Sequence, residues 1–377
     1  MFHQLDPFNN AIIRPILTDM LDIHLSIVSH LEALSPGAIF VDDLNQPKSV
    51  FGYSMRRFFL AGSPNNEGFN QAVKGFFNDT LYPNAAEMKI PHFNLHYSPD
   101  DWDDVISFIL NGVYPVRDGR HYYAFKDSQL KHDWRSLIPE GFTLRRVDRD
   151  LLAESHLENL NGVIEELQSE RSSVEDFLEK SFGYCLVHEN EEIIAWCMSE
   201  YNCAGRCEVG IETQEDYQHR GFATITASAV VDHALSTGIS EVGWHCYASN
   251  QASIATALSV GLKKVVDYTV YWALTDKATQ MAMKGNKCFQ RADYAEAVDW
   301  HERSISSGEM PVWVYWNTAC AYAYLEDQDN VFKYLDQAVE RGFTDVDFYR
   351  NSPHFTAFHG TEDWNVLIEK LTAFQNS

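Results

Sequence analysis

The sequence has no apolar run of about 18 residues, the length that a membrane-spanning helix needs, so no span is predicted. Its opening residues, MFHQLDPFNN, form neither a basic nor an apolar segment, and we expect no signal peptide. Basic residues are scarce, since 29 Lys and Arg stand against 54 Asp and Glu for a net charge of -25. Nucleic acid and membranes are therefore not expected as partners, whereas a cationic substrate and an ordinary acidic protein both fit.

Cysteine is limited to seven residues, and no two of them form a CxxC pair. This odd count favours a reducing compartment, and we expect a cytoplasmic location. Cys203 and Cys207 are four residues apart, but the second half of a zinc-ligand pattern is missing, so no metal is predicted. The chain of 377 residues is 45% hydrophobic and 22% charged, which indicates a globular protein of two or three domains.

The most informative stretch is IETQEDYQHRGFATITASAVVDHALSTG, where a predicted strand turns into a helix of small residues. Gly221 and Ala223 stand at the turn, three and five residues after Gln218. The first turn of a helix presents unpaired N–H groups and a partial positive charge, which bind an anion if the backbone can be approached closely. The turn therefore predicts a phosphate site, and the alternative is an ordinary strand-to-helix turn with a tightly packed glycine.

The predicted elements around this turn are a hairpin, a strand, the turn with its helix, a strand, a helix from Asn250 to Gly261 and a last strand. This order, with Gln218-x-x-Gly221-x-Ala223, resembles the GNAT superfamily of N-acetyltransferases, in particular a bacterial branch of GNAT acetyltransferases. The resemblance covers residues 140–274 well. It implies an α/β fold with a mixed (α+β) sheet of the acyl-CoA transferase type, and acetyl-CoA as the cofactor.

The resemblance also implies where the cofactor lies. The strand Glu208 to Thr213 would splay from its neighbour and pair through Ile211–Thr213 with the pantetheine arm, while the amides of the turn hold the pyrophosphate. Asn250 and Ser253 would touch the pantetheine or lie by the sulfur. Asn250 is also predicted to be a plain helix N-cap, and it can have both roles together. The predicted cofactor-binding residues are Ile211, Glu212, Thr213, Gln218, His219, Arg220, Gly221, Phe222, Ala223, Thr224, Asn250 and Ser253.

The implied reaction transfers acetyl directly to an amine, which must lose a proton from a pKa of about 10.4 before it attacks. A carboxylate can take that proton. Glu208 and Glu212 share one strand face and are predicted to be catalytic together with Ser253, with a solvated acidic face as the alternative for the two glutamates. His245, on the next strand, is a further candidate base or a structural histidine.

The general acid departs from the family pattern. Members often carry a Tyr seven residues after the Asn, and this sequence has Ala257 there. Ser253, Tyr247, Tyr271 or water are the substitutes that the sequence offers.

The N-terminal third follows a similar order of strands and helices, and its Gly68-Phe69 step parallels Gly221-Phe222. We expect a degenerate tandem copy of the same unit. Asn65 and Asn70 stand where the later turn has its Gln and its Ala, and an Asn at the second place would crowd a phosphate. This copy is therefore predicted not to bind acetyl-CoA.

The C-terminal end repeats with a period of 34 residues, since Gly285 matches Ala319 and Ala297 matches Val331. That period resembles tetratricopeptide repeats (TPR), an all-α architecture. Two repeats do not bury a solenoid core, so we expect intramolecular docking, oligomerisation or a protein partner. The predicted domains are a degenerate GNAT-like domain at 1–135, a catalytic GNAT domain at 136–275 and a TPR-like domain at 276–377.

Two functions fit these features. The first is an acetyl-CoA-dependent N-acetyltransferase that acts on an amine of a small molecule or a protein. The alternative is a non-catalytic acyl-CoA-binding scaffold with a partner-binding tail. The sequence leaves polyamines, aminoglycosides, amino acids and protein amines open as the acceptor.

Overall fold

The computed structural model describes residues 2–127, 129–130 and 133–375. The chain forms two compact units. Unit 1 is built from the residues up to Thr80 together with Phe93–Ile109 and Arg117–Trp272, and unit 2 from Leu81–His92, Leu110–Val116 and the residues from Ala273 onward. The domain boundaries expected from the sequence stay a prediction.

The described strands belong to one mixed sheet of twelve strands. They are β1 (His3–Gln4), β2 (Ala38–Val41), β3 (Ser49–Ser54), β4 (Arg57–Gly62), β5 (His92–Ser98), β6 (Val116–Phe125), β7 (Phe142–Arg146), β8 (Gly183–His188), β9 (Ile193–Cys203), β10 (Arg206–Thr213), β11 (Glu241–Tyr247) and β12 (Lys263–Leu274).

The helices differ in their sequence signals: α9 starts at a glycine, and α10 is capped by Asn250 and ends at Gly261. They are α1 (Thr18–Leu21), α2 (Leu25–Leu31), α3 (Glu67–Gly75), α4 (Tyr82–Asn84), α5 (Asp103–Ile109), α6 (Arg149–Leu152), α7 (Leu160–Glu170), α8 (Val174–Lys180), α9 (Phe222–Ser236), α10 (Gln251–Val260), α11 (Lys277–Gln290), α12 (Tyr294–Ser306), α13 (Val312–Tyr324), α14 (Gln328–Glu340), α15 (Val346–Asn351) and α16 (Glu362–Gln375).

The strand order is β1-β2-β3-β4-β5-β12-β6-β11-β10-β9-β8-β7. Each half of the sheet contains three antiparallel pairs followed by one parallel pair, which is β4 with β5 in the first half and β10 with β11 in the second. The strand β6 comes last in the first half of the sequence but pairs with β11 of the second half. The strand β12 comes last in the second half but pairs with β5 of the first half. The halves are therefore joined by an exchange of strands.

The second half has a distinct core on one face of the sheet. Helices α9 and α10 contribute Val230, Ala234 and Ala257 to a cluster with Val242 and Trp244 of β11. Because strand side chains alternate, His245 and Tyr247 of the same strand belong to the opposite face. This alternation separates the helix-covered face from a polar one.

Unit 2 is a helical region in which α11 to α14 pack each on the next. Ala297 and Ala319 are fully buried where these helices meet. Gly285 is required by close approach, since a Cβ there would lie 2.3 Å from the His301 ring. Within the described residues, no helix is both long and apolar enough to cross a membrane.

Candidate active site

The strands β10 and β11 diverge at the centre of the second half. They pair in parallel only where Arg206–Glu208 faces Glu241–Gly243. Beyond that point β11 continues along β6, and β10 continues along β9 as far as Thr213 opposite Ala195. The backbone of Ile211–Thr213 is consequently left with one edge facing a gap between strands, as expected for the splayed strand.

The turn after β10 is open at the start of α9. Gly221 is the N-cap residue with a φ of 82°, and no side chain caps the helix within the described part of the chain. A Cβ at Gly221 would meet nothing within 4 Å. The backbone N–H groups in the first turn of α9 have no intrahelical partners, so they can donate hydrogen bonds to an anion. A pyrophosphate group therefore fits this turn.

These elements enclose a cavity of about 630 Å³. Every residue predicted to bind the cofactor lines it except Arg220, whose guanidinium instead donates to the Asp216 carbonyl at 2.8 Å and lies over the Tyr217 ring. The lining residues that the sequence analysis missed are Tyr217, Ala252, Ala255, Thr256 and Ser259. The last four recur at helical spacing on α10, a signal that was available in the sequence.

Asn250 and Ser253 have structural partners as well as places in this cavity. The Asn250 side chain accepts the Ser253 N–H at 3.0 Å, which is an N-cap bond. The Ser253 hydroxyl accepts the Trp244 indole N–H at 2.9 Å. Ser253 can therefore still donate its own O–H toward the cavity.

The position of the missing tyrosine lies outside the cavity lining. Ala257 is fully buried in the core between α10 and the sheet. Among the substitutes, Tyr271 donates its hydroxyl to Asp103 at 2.8 Å, while burial raises the pKa of Tyr247. A tyrosine acid at either place stays a prediction.

Glu208 belongs to a buried network rather than to an open site. Its Oε1 accepts the Leu25 N–H at 2.6 Å and lies 3.3 Å from Nε2 of His245. The Tyr268 hydroxyl lies 2.9 Å from Nδ1 of the same ring. Burial acts to raise the pKa of Glu208, but His245 and the Leu25 amide outweigh it and lower that pKa. Burial lowers the pKa of His245, so a neutral ring donates to Glu208 and accepts from Tyr268.

Two further carboxylates, missed by the sequence analysis, converge on β10 at Gly210. A Cβ on Gly210 would lie 2.5 Å from Oε1 of Glu200 and 2.7 Å from Oε1 of Glu166. Glu200 has no facing residue on β10, because the register of β9 shifts there and pairs Tyr201 with Glu208 and Ser199 with Val209. Such a bulge re-aims a side chain. A glycine inside a strand pattern is the sequence signal for such a close approach.

The environment of these carboxylates keeps them partly protonated near neutral pH. Burial, followed by the charge of Glu170, raises the pKa of Glu166 to about 7 and that of Glu200 to about 8. Arg57 of β4 donates to Glu170 at 2.7 Å and to Glu200 at 3.4 Å. Glu212 is exposed, and partial desolvation raises its pKa.

Metal binding has no support in the described part of the chain, where no group of three or more His, Cys, Asp or Glu side chains could hold an ion. The described geometry instead presents backbone amides, a divergent strand edge and carboxylates. Open amides at the start of a helix suit an anion such as a phosphate.

Comparison with known proteins decides the family. The sequence model of the family described as GNAT acetyltransferase matches residues 22–271. The chain belongs to the GNAT acetyltransferase family. Enzymes of this GNAT family use acetyl-CoA, and the match spans both halves of the sheet but ends before α11.

Three individual proteins are similar to this chain. The uncharacterized N-acetyltransferase YdfB of Bacillus subtilis (strain 168) is 30% identical over 249 residues, which are 66% of this chain and 89% of YdfB. A GNAT-like protein structure from Streptococcus suis 89/1591 has 23% identity and a TM-score of 0.48, covering 64% of this chain and 89% of that one. A GNAT structure from Sphaerobacter thermophilus has 14% identity and a TM-score of 0.47, covering 73% and 95%. The family match and the YdfB relative identify the chain as an acetyltransferase, and the helices from α11 onward form a C-terminal helical region.

Proposed function

We propose that this acetyltransferase transfers acetyl from acetyl-CoA to an amine by direct attack. The observation that carries the proposal is the open helix turn at Gly221, which shares one cavity with the divergent backbone of Ile211–Thr213. A phosphate on the turn and an amide-bearing arm along the strand edge are the groups that these two features can bind. The cytoplasmic location expected from the sequence stays a prediction.

The cofactor supplies an acetyl group as an activated thioester. The amides of His219 to Thr224 hold its diphosphate, and the free edge of Ile211–Thr213 fixes the arm. Asn250 and Ser253 line the wall of the same cavity. Among the predicted positions, Arg220 contributes only its backbone amide, because its guanidinium is engaged by Asp216.

The acceptor amine gives its proton to Glu200, with Glu166 beside it. Both carboxylates reach β10 at Gly210, the residue before Ile211. A proton acceptor works best when its pKa lies near the working pH, and burial places Glu200 and Glu166 in that range. Glu208 fits this role less well, because the Leu25 amide and His245 already occupy its Oε1. Glu208, Glu212 and Ser253 remain candidates, and a substitution of Glu208 is compared with Glu200 below.

The first half is proposed to be a degenerate copy of the same GNAT unit. The repeated strand order supports this view. At the start of α3 the Asn66 side chain accepts the Phe69 N–H at 3.1 Å, so a side chain fills the place that stays open at Gly221. The Asn70 side chain donates to the Pro64 carbonyl at 2.8 Å. We therefore propose that the N-terminus of α3 does not bind the cofactor.

The helical region of unit 2 is proposed to be TPR-like. The period of 34 residues in the sequence and the close approach of α11 and α12 at Gly285 support this assignment. We propose that it docks intramolecularly, oligomerises or binds a protein partner.

The experiment for the main function measures free thiol released from acetyl-CoA in the presence of a panel of amines. We expect release that depends on the amine, together with an acetylated product identified by mass spectrometry. Binding of acetyl-CoA without thiol release for any amine would favour the alternative, a non-catalytic scaffold. The specific argument for that alternative is that Ala257 stands where family members often have a tyrosine. Absence of acetyl-CoA binding would contradict both.

A further inference from the structure

A buried arginine without a partner lies on the polar face of the sheet. Arg120 of β6 is only 8% exposed. Its guanidinium makes no hydrogen bond and no ion pair with any residue that the structure describes, and its Nε is a buried atom without a partner. A buried charge is costly unless it is paired, so a solitary buried arginine indicates a site for an anion.

The aromatic ring that Arg120 contacts carries no negative charge. The guanidinium carbon lies 4.7 Å from the centre of the Tyr247 ring, which is a stacking contact. Burial is the main cause that lowers the pKa of His24, His96 and His245. The charge of Arg120 is a further, smaller cause that lowers each of these pKa values. A histidine ring is either neutral or positively charged, so none of the three neutralises the charge of the arginine.

A second buried polar atom on the same face also lacks a partner. His96 of β5 is 3% exposed, and its Nδ1 has no hydrogen-bond partner within the described chain. Its ring lies 4.2 Å from the ring of His24. Buried polar groups without a hydrogen-bond partner are rare in native proteins. Two such groups on the polar face of the sheet, on Arg120 and His96, point to a ligand or water that supplies the missing hydrogen bonds.

The register places Arg120 opposite the last residue of β11, past the point where β11 has diverged from β10. Arg120 faces Tyr247 across β6 and β11, and Tyr122 faces His245. These four side chains alternate with Trp244 and Cys246, which pack against the helix-covered face. Tyr247 ends β11 three residues before Asn250, at the open end of the divergence from β10.

We propose that Arg120 binds a carboxylate of the acceptor, so that the substrate is an amine that also carries a carboxyl group. This inference rests on the proposed function and names its substrate class. A guanidinium donates two parallel hydrogen bonds to a carboxylate, which also fixes the orientation of the acceptor. In this proposal the amine end is directed toward Glu200 and Glu166, the two carboxyl groups that converge on Gly210.

The surrounding charge favours a carboxylate over a phosphate. Glu166, Glu170, Glu200 and Glu208 already share this region of unit 1, and Arg57 is engaged by two of them. A phosphate would bring a charge of about -1.5 to -2, more than one guanidinium balances, whereas a carboxylate brings one.

The test uses matched pairs that differ only by a carboxyl group: lysine and cadaverine, ornithine and putrescine, histidine and histamine, tryptophan and tryptamine. Binding to the full chain is measured by calorimetry and thermal shift without acetyl-CoA. We expect at least one amino acid to bind about tenfold or more tightly than its decarboxylated partner. Arg120→Gln should abolish that preference while leaving the affinity for acetyl-CoA unchanged.

Arg117→Gln is the matched control, because Arg117 lies on the same strand but is exposed and paired with Asp103 at 2.8 Å. It should keep the preference, and far-UV circular dichroism should show that both variants are folded. Equal or tighter binding of the decarboxylated amines, binding of no pair member, or preference for O-phosphoethanolamine would each overturn the carboxylate assignment. Carboxylate-dependent binding without thiol release would uphold this assignment and contradict the proposed function, so the two failures are distinguishable.

Discussion

Arg57 and Glu200 meet across the two halves of the sheet, with 3.4 Å between Nη2 and Oε2. The arginine comes from β4 and the glutamate from the bulge in β9. The side chains of both residues are less than one fifth exposed. The first half therefore positions a carboxylate of the second half beside the strand on which we place the acetyl group.

Glu200→Gln should remove the proton acceptor. The rate of the parent enzyme should rise with pH through about 8, because Glu200 must be ionised to accept a proton. The kcat of the variant should be lower by about 10²-fold or more, and its rate should no longer rise with pH through this range. Its affinity for acetyl-CoA should be unchanged. Glu208→Gln is the comparison, measured over the same pH series. We expect Glu208→Gln to lower stability but to keep the rise of the rate with pH. If only Glu208→Gln lost that rise, Glu208 would be the proton acceptor instead.

Gly221→Glu should abolish acetyl-CoA binding, because it places an anion at the open start of α9. The control is Gly238→Glu at the other end of the same helix. Gly238 also has a positive φ, of 87°, and free space around its Cβ position, so both substitutions introduce the same backbone strain. Calorimetry should show normal affinity in Gly238→Glu only. Equal affinities in the two variants would remove the turn from the cofactor site.

His96→Gln should change how stability depends on pH. Burial and the charges of His24, Arg57 and Arg120 hold the pKa of His96 well below its ordinary value. The unfolded chain therefore takes up a proton near pH 6.5 that the folded chain does not, and this contribution to stability is complete above pH 6.5 and is lost as the pH falls.

Urea unfolding at pH 7.5, 6.5 and 5.5 measures this effect. Between pH 6.5 and 5.5 the variant should lose less free energy of unfolding than the parent, by up to about 1.4 kcal/mol per pH unit. His156→Gln is the control, since its side chain is 52% exposed. Identical slopes in the parent and His96→Gln would contradict the depressed pKa.

Gly285→Ala should destabilise unit 2 although alanine is the better helix former. The new Cβ would lie 2.3 Å from the His301 ring and 3.1 Å from the Ala297 carbonyl oxygen, and overpacking of this kind costs about 1–3 kcal/mol. Gly308→Ala has free space around it and should change stability by less than about 0.5 kcal/mol. Thermal unfolding followed by circular dichroism compares the two.

The local parts of the site were predictable from the sequence. The turn at Gly221 and the cap at Asn250 depend on residues within a few positions of each other, and backbone chemistry decides both. The family match to residues 22–271 agrees with the resemblance that these motifs carry. Short-range patterns therefore identified the family and the fold class.

The long-range parts were not predictable by the same reasoning. Arg57 and Glu200 are 143 positions apart, and no periodicity relates them. The bulge that frees Glu200 and the exchange of β6 and β12 depend on strand register, which a single sequence specifies only weakly. Gly210 was the one local signal near these carboxylates, because a strand glycine indicates a close approach.

The exchange of β6 and β12 has a consequence for biosynthesis. The strand that completes the first half, Lys263–Leu274, emerges from the ribosome only after almost all of the second half. Until then β5 presents an unsatisfied edge on the nascent chain, and such edges recruit other strands. Completion of the first half is thus a late event, and we expect a polypeptide released before that strand to depend on chaperones and to aggregate without them.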